Sequence, residues 1–90
     1  MAETNPTPID IYTTAWCPYC SAAKGLLTRK GVSFREIDAP AGSSARAEAI
    51  ARSGGRTTVP QIIAGEAALG GYDDIAALDR AGKLDALLGL

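Results

Sequence analysis

A β-branched run, Ile9-Asp10-Ile11-Tyr12-Thr13, gives way within four residues to a helical pattern, and that switch most constrains the fold. The run alternates apolar and polar residues and is rich in β-formers, so it reads as a strand. Ala15-Trp16 makes the turn. Pro18 then suits the first position of a helix, where a missing N–H costs nothing, and Cys17 takes the N-cap. Leu26 and Leu27, with Ala22 and Ala23 one turn earlier, give this helix a buried stripe. Lys30-Gly31 ends it with a cation in the last turn and a glycine at C′. Val32 to Ile37 reads as a second strand. Strand, helix, strand in that order predicts a right-handed crossover between parallel strands.

The remaining chain adds a helix, a hairpin and a helix. Ser44 caps a helix through Ser53 that stops at Gly54-Gly55, and its thin apolar face suits covering an edge of the sheet. Thr58-Val59 and Gln61-Ile62-Ile63 have strand character, interrupted by Pro60, which belongs at the start of a strand or on an edge. Ala64-Gly65-Glu66 is a hairpin turn and Ala67-Ala68-Leu69 the return strand. Gly70-Gly71 breaks the chain before a helix opening at Tyr72, whose first turn holds Asp73 and Asp74 and whose Ile75 and Leu78 face inward. Gly82 ends it, and Lys83 to Leu88 forms a last short helix. The expectation is an α/β fold: a mixed sheet with one parallel pair, one hairpin and helices on both faces.

Ninety residues make one domain. Residues 1–8, polar and rich in proline, read as a flexible N-terminal tail without the basic and apolar regions of a signal peptide, and residues 9–90 as the domain. The net charge is −1 and the nine Lys and Arg are scattered, which argues against a nucleic-acid partner. No apolar run approaches the roughly 20 residues of a membrane span. The reading is of a cytoplasmic monomer.

The chain has no histidine, so histidine acid–base chemistry and histidine-ligated metals are excluded. Its two cysteines, Cys17 and Cys20, stand two residues apart at the strand–helix junction. That placement reads as a redox-active dithiol. Inert core cysteines, half of a zinc site and a structural disulfide are the alternatives. Zinc needs four ligands, so a single chain would be short of two, and a cytosolic disulfide would be kept reduced. A sulfur at a helix N-cap lies near the N–H groups of Tyr19 and Cys20. Those donors and the helix dipole favour the thiolate, so Cys17 is the candidate nucleophile. Cys20, one turn in, is the candidate resolving thiol.

Cys17-Pro18-Tyr19-Cys20 resembles the dithiol motif of glutaredoxins. Thr58-Val59-Pro60 resembles that family's Thr-Val-Pro segment, and Gly70-Gly71-Tyr72-Asp73-Asp74 its Gly-Gly-Cys-Asp-Asp loop. The three occur in family order, and the similarity runs from Ile9 to near the end of the chain, closest to small bacterial dithiol glutaredoxins. The resemblance implies a thioredoxin fold with a four-stranded sheet in the order 2-1-3-4. It implies a glutathione-dependent thiol–disulfide oxidoreductase that reduces protein disulfides and glutathione mixed disulfides. Glutathione is then the co-substrate and no metal is expected. The implied protein partners carry disulfides or glutathionylated cysteines, ribonucleotide reductase among them.

The resemblance further implies a cis Pro60, which the roughly 5–6% frequency of cis X-Pro bonds would not suggest by itself. Val59 would then pair with the cysteinyl unit of glutathione like an added strand. The N–H groups of Tyr72 and Asp73, at a corner opened by Gly71, would hold the γ-glutamyl carboxylate, and the Asp73 carboxylate would meet its ammonium. Tyr19 and Thr58 complete the implied seat. The family usually offers a lysine three residues before the first cysteine for the glycyl carboxylate. Thr14 stands there, which leaves Arg56 as the candidate cation. Two further readings stand beside this one. Trp16 before the first cysteine resembles thioredoxins, pointing to a redoxin served by a flavoprotein reductase. Some glutaredoxins instead carry a [2Fe–2S] cluster between two subunits, a role that a proline at Pro18 disfavours in the family.

Overall fold

The structure is a computed structural model and describes residues 7–90; residues 1–6 of the expected tail lie outside the described residues. The elements follow in the order β1 (Ile9–Thr13), α1 (Pro18–Arg29), β2 (Arg35–Asp38), α2 (Ser44–Arg52), β3 (Gln61–Ala64), β4 (Ala67–Gly70), α3 (Tyr72–Arg80) and α4 (Leu84–Leu87). The four strands form one sheet in the order β2-β1-β3-β4, as expected from the sequence. β2 runs parallel to β1, with Tyr12 opposite Ile37. β3 runs antiparallel to β1, with Ile11 opposite Ile62, and β4 returns antiparallel to β3. Ala64 and Ala67 close that hairpin around a two-residue turn, where Gly65 takes a φ of 64°.

Strand alternation sorts the side chains onto two faces. On one, Ile9, Ile11, Ile62 and Ala64 pack with Leu26 and Leu27 of α1, Ile75 of α3, and Leu84 and Leu88 from the last turns. On the other, Tyr12 and Ile63 pack with Ala39 and with Ala49 of α2. The second face has little apolar area, and polar bonds supplement it. The buried Tyr12 hydroxyl donates to Glu48 at 2.9 Å and accepts from Arg52 Nη1 at 2.8 Å. Arg52 also donates to Asp10 at 2.8 Å. Helix α2 therefore lies on a face of the sheet beside β1, where its sequence had suggested an edge.

Several boundaries differ from the sequence reading by a residue or more, and the hydrogen bonds explain two of them. The second strand begins at Arg35 rather than Val32. Residues 30–32 instead close α1: Gly31, at φ 77°, donates to Thr28 O at 3.0 Å, and Val32 to Leu27 O at 3.4 Å. This is a Schellman closure, which uses the Val32 backbone on the helix while its side chain joins the core. At α2 the cap is Ser43, one residue earlier than read, because its hydroxyl accepts the Arg46 N–H at 3.1 Å. Among the described residues, no helix is long and apolar enough to cross a membrane.

Candidate functional site

Cys17 is the N-cap of α1, with Pro18 following in the first turn. Its extended backbone (φ −108°, ψ 106°) lets its carbonyl accept the Ser21 N–H at 3.1 Å. Its sulfur accepts the Cys20 N–H at 3.2 Å, the contact that a capping oxygen usually makes. Both cysteines are free thiols, and their exposures differ: Cys17 is half-buried and Cys20 is 2% exposed. Burial, followed by its contact with Cys17, pushes the Cys20 thiol up to about 11, against a smaller opposing pull from the Thr14 backbone. One turn of helix thus separates an accessible sulfur with a donor aimed at it from an enclosed thiol.

Sheet order places two clefts around this segment. β2 and β3 flank β1 on opposite sides, so the loops at the ends of those strands reach the dithiol from opposite directions. The smaller cleft, about 250 Å³, lies on the β3 side. Tyr19 borders it from the dithiol segment, Arg56 and Thr58-Val59-Pro60 from the loop before β3, and Gly71-Tyr72-Asp73 from the start of α3. Every residue assigned by resemblance to the glutathione seat is therefore brought to one cleft. The Val59-Pro60 bond is cis. A Cβ built at Gly71 would lie 3.2 Å from the Pro60 carbonyl oxygen, so a side chain there would press these two segments apart by a few tenths of an ångström. Gln61, buried in β3, donates to Thr58 O at 3.0 Å and steadies the loop.

Arg56 is not a free cation. Its Nη2 donates to Asp74 Oδ2 at 3.1 Å, and the same oxygen accepts the Gly71 N–H at 2.9 Å. The Gly71 amide, followed by the Arg56 guanidinium, holds the Asp74 carboxyl below the usual carboxylate range. Asp74 also lines the smaller cleft, and the sequence reading gave it no role there. The signal was present: an acidic residue at the third helical position reaches back to the cap.

The larger cleft, about 780 Å³, lies on the β2 side. Both cysteines line it, together with Trp16, Lys24 of α1, and Glu36 and Asp38 of β2. Lys24 donates to Glu36 Oε2 at 2.9 Å and Thr13 donates to the same oxygen at 2.7 Å. Lys24, followed by Thr13, lowers the Glu36 carboxyl. Thr14, where relatives were expected to place a lysine, lines this cleft and not the smaller one. Nothing in the sequence reading anticipated the larger cleft, because it joins residues from three elements that no local motif links.

The glutaredoxin family model matches residues 9–68. A glutaredoxin of Pseudomonas aeruginosa is 63% identical over 81 residues, covering 90% of this chain and 95% of that protein. Glutaredoxin 3 of Escherichia coli is 52% identical over 80 residues, covering 89% and 95% respectively. The solution structure of a glutaredoxin from Brucella melitensis superposes with a TM-score of 0.78 at 54% identity, covering 91% of this chain and 88% of that one. A buckwheat glutaredoxin crystallised as its glutathione complex gives 0.79 at 29% identity, covering 93% and 78%.

Proposed function

Because the chain belongs to the glutaredoxin family, with its thioredoxin fold and thiol–disulfide oxidoreductase chemistry, we propose that it is the glutathione-dependent kind of oxidoreductase, reducing glutathione mixed disulfides and protein disulfides through Cys17 and Cys20. The observation that carries this reading is the smaller cleft, which gathers Arg56, Thr58-Val59-Pro60 and Gly71-Tyr72-Asp73 around Tyr19, the residue between Pro18 and Cys20 of the dithiol motif. A glutathione complex of the buckwheat relative supports the same ligand class.

The chemistry follows from the unequal sulfurs. The Cys17 sulfur accepts the helix-end N–H of Cys20, and its exposure lets a disulfide approach. The Cys17 thiolate attacks the glutathione sulfur of a mixed disulfide. A Cys17–glutathione disulfide forms, and the substrate thiolate leaves and takes a proton. A second glutathione then attacks that adduct, yielding glutathione disulfide and regenerating Cys17. With a protein disulfide the first adduct is to the protein, and Cys20, having lost its proton, attacks Cys17 to release it. Two glutathiones then reduce the Cys17–Cys20 bond. Glutaredoxins have potentials of roughly −200 to −230 mV, close enough to the glutathione pool for this flux.

In the smaller cleft, the exposed end of α3 offers backbone N–H groups to the γ-glutamyl carboxylate. Asp73 meets the ammonium, the Val59 backbone pairs with the cysteinyl unit, and Arg56 meets the glycyl carboxylate while held from behind by Asp74. The test is a glutathione-coupled assay on three proteins. Cys17→Ser abolishes turnover of both substrate classes. Cys20→Ser keeps deglutathionylation and loses reduction of protein disulfides that need the dithiol. Reversed behaviour of the two variants, or turnover only with a flavoprotein thioredoxin reductase, refutes the proposal.

A further inference from the structure

The glutathione reading uses the smaller cleft and leaves the larger one, about 780 Å³ and lined by both cysteines, without an occupant. Glutathione ends one residue either side of its cysteine. A polypeptide whose sulfur bonds to Cys17 continues in both directions, and the side away from the smaller cleft opens into this one. Three charged side chains face it: Lys24, Glu36 and Asp38. Lys24 is spent on Glu36 at 2.9 Å, while Asp38 is exposed and has no ion-pair partner among the described residues. The unmatched charge is negative. At the rim stands Trp16, 99% exposed, with the left-handed φ of 60° that a side-chain-bearing residue rarely adopts. An indole fully in water beside an open cleft is the kind of group that anchors interfaces.

From these observations we propose that the larger cleft is the docking surface for disulfide-bearing polypeptide substrates, with Trp16 covering the chain beyond the reacting cysteine and Asp38 selecting a basic side chain there. The inference rests on thiol–disulfide exchange at Cys17 and does not depend on which reductant restores the dithiol. The reaction at the cleft is balanced by the substrate alone. The Cys17 thiolate attacks one peptide sulfur, the Cys17–peptide bond forms as the old S–S bond breaks, and the other sulfur leaves as a thiolate.

Trp16 is the chain's only tryptophan, so its fluorescence reports on this cleft. The experiment uses Cys20→Ser to trap adducts on Cys17, formed from thionitrobenzoate mixed disulfides of three thiols: a peptide with two lysines after its cysteine, the same peptide with two glutamates, and 2-mercaptoethanol. Released thionitrobenzoate gives the rate. The lysine peptide adduct shifts Trp16 emission to the blue and the mercaptoethanol adduct does not. The lysine peptide reacts about 2- to 5-fold faster than the glutamate peptide, the scale of an exposed ion pair, and Asp38→Asn equalises them. Asp38 is exposed, so Asp38→Asn does not threaten folding. Identical emission in the peptide and mercaptoethanol adducts, or a lysine preference that survives Asp38→Asn, overturns the proposal. Failure of Cys17 to react even with the mercaptoethanol derivative overturns the exchange reading beneath it, a result distinct from either. Loss of glutathione dependence alone leaves this assay unchanged.

Discussion

Asp74 connects the stability of α3 to the architecture of the smaller cleft, and replacing it separates the two. Its Oδ2 accepts the Gly71 N–H at 2.9 Å and the Arg56 guanidinium at 3.1 Å. The first bond satisfies a helix-end donor and contributes about 1 kcal/mol. The second joins side chains that are 49% and 47% exposed, so it adds about 0.2–1 kcal/mol. Asp74→Ala should therefore cost about 1–2 kcal/mol, lowering the melting temperature of a domain this size by about 5–15 °C. Asp74→Asn keeps an acceptor for Gly71 and loses the charge, so it should cost less than 1 kcal/mol. The pH dependence has a definite sign. The folded carboxyl lies below its usual 3.8, so its contribution is complete above that value and fades as pH falls through the lower folded value. Circular dichroism melts of the wild type and both variants at pH 7 and pH 2.5 give the answer. The gap between wild type and Asp74→Ala should be full at pH 7 and narrower at pH 2.5, because the protonated carboxyl loses the charge that Arg56 and Gly71 favour while keeping an acceptor for the Gly71 N–H. A gap unchanged at the acid pH, or no greater for alanine than for asparagine, would refute the assignment of the cap.

The Cys20 thiol, held at about 11 against a usual 9.0, makes the reduced protein sensitive to alkali. The unfolded thiol ionises first, so stability is level below pH 9 and falls above it, by about 1 kcal/mol between pH 8.5 and pH 10. Urea midpoints over that range check this; Tyr12, raised by burial from 10.0, begins to add its own loss only toward the top of the range, and Cys20→Ser should remove the Cys20 share of the slope. In the core, Leu27→Ala should cost about 2–5 kcal/mol, because Leu27 is fully buried between α1 and the sheet. Leu87→Ala, at a position 38% exposed, should cost below about 1 kcal/mol by the same urea titration.

What the sequence discloses divides along a physical line. Local signals are reliable: proline after Cys17 marks the helix start, Gly65 the hairpin, and Gly70-Gly71 the entry to α3, since each residue acts through its own backbone. The start of β2 was misread because Val32 is apolar and β-branched whichever element it serves. Only the closing bonds from Gly31 and Val32 to α1 show that the helix claims it. Likewise Ser43 and Ser44 are chemically equivalent caps, and the choice falls to whichever hydroxyl meets the Arg46 N–H. The residues of the smaller cleft were legible through three motifs, although their convergence requires the sheet order to bring the β3 loop and α3 to the dithiol. Arg56 was read as the candidate cation for the glycyl carboxylate with no partner of its own in view, because Asp74 lies 18 residues away. The larger cleft carries no motif, since Trp16, Lys24 and Asp38 meet only when β2 lies parallel beside β1.

The asymmetry between Cys17 and Cys20 follows from the same geometry. Four residues separate the end of central strand β1 from α1, and the turn leaves the cap residue Cys17 half-buried while Cys20, three residues on, enters the core. The Cys20 N–H, a helix-end donor with no partner inside α1, donates to the Cys17 sulfur at 3.2 Å, so forming the first turn of α1 is what aims a donor at the outer thiol. Burial pushes the Cys20 thiol up, which supports the proposed division of labour: Cys17 meets the incoming disulfide and Cys20 waits as the resolving thiol.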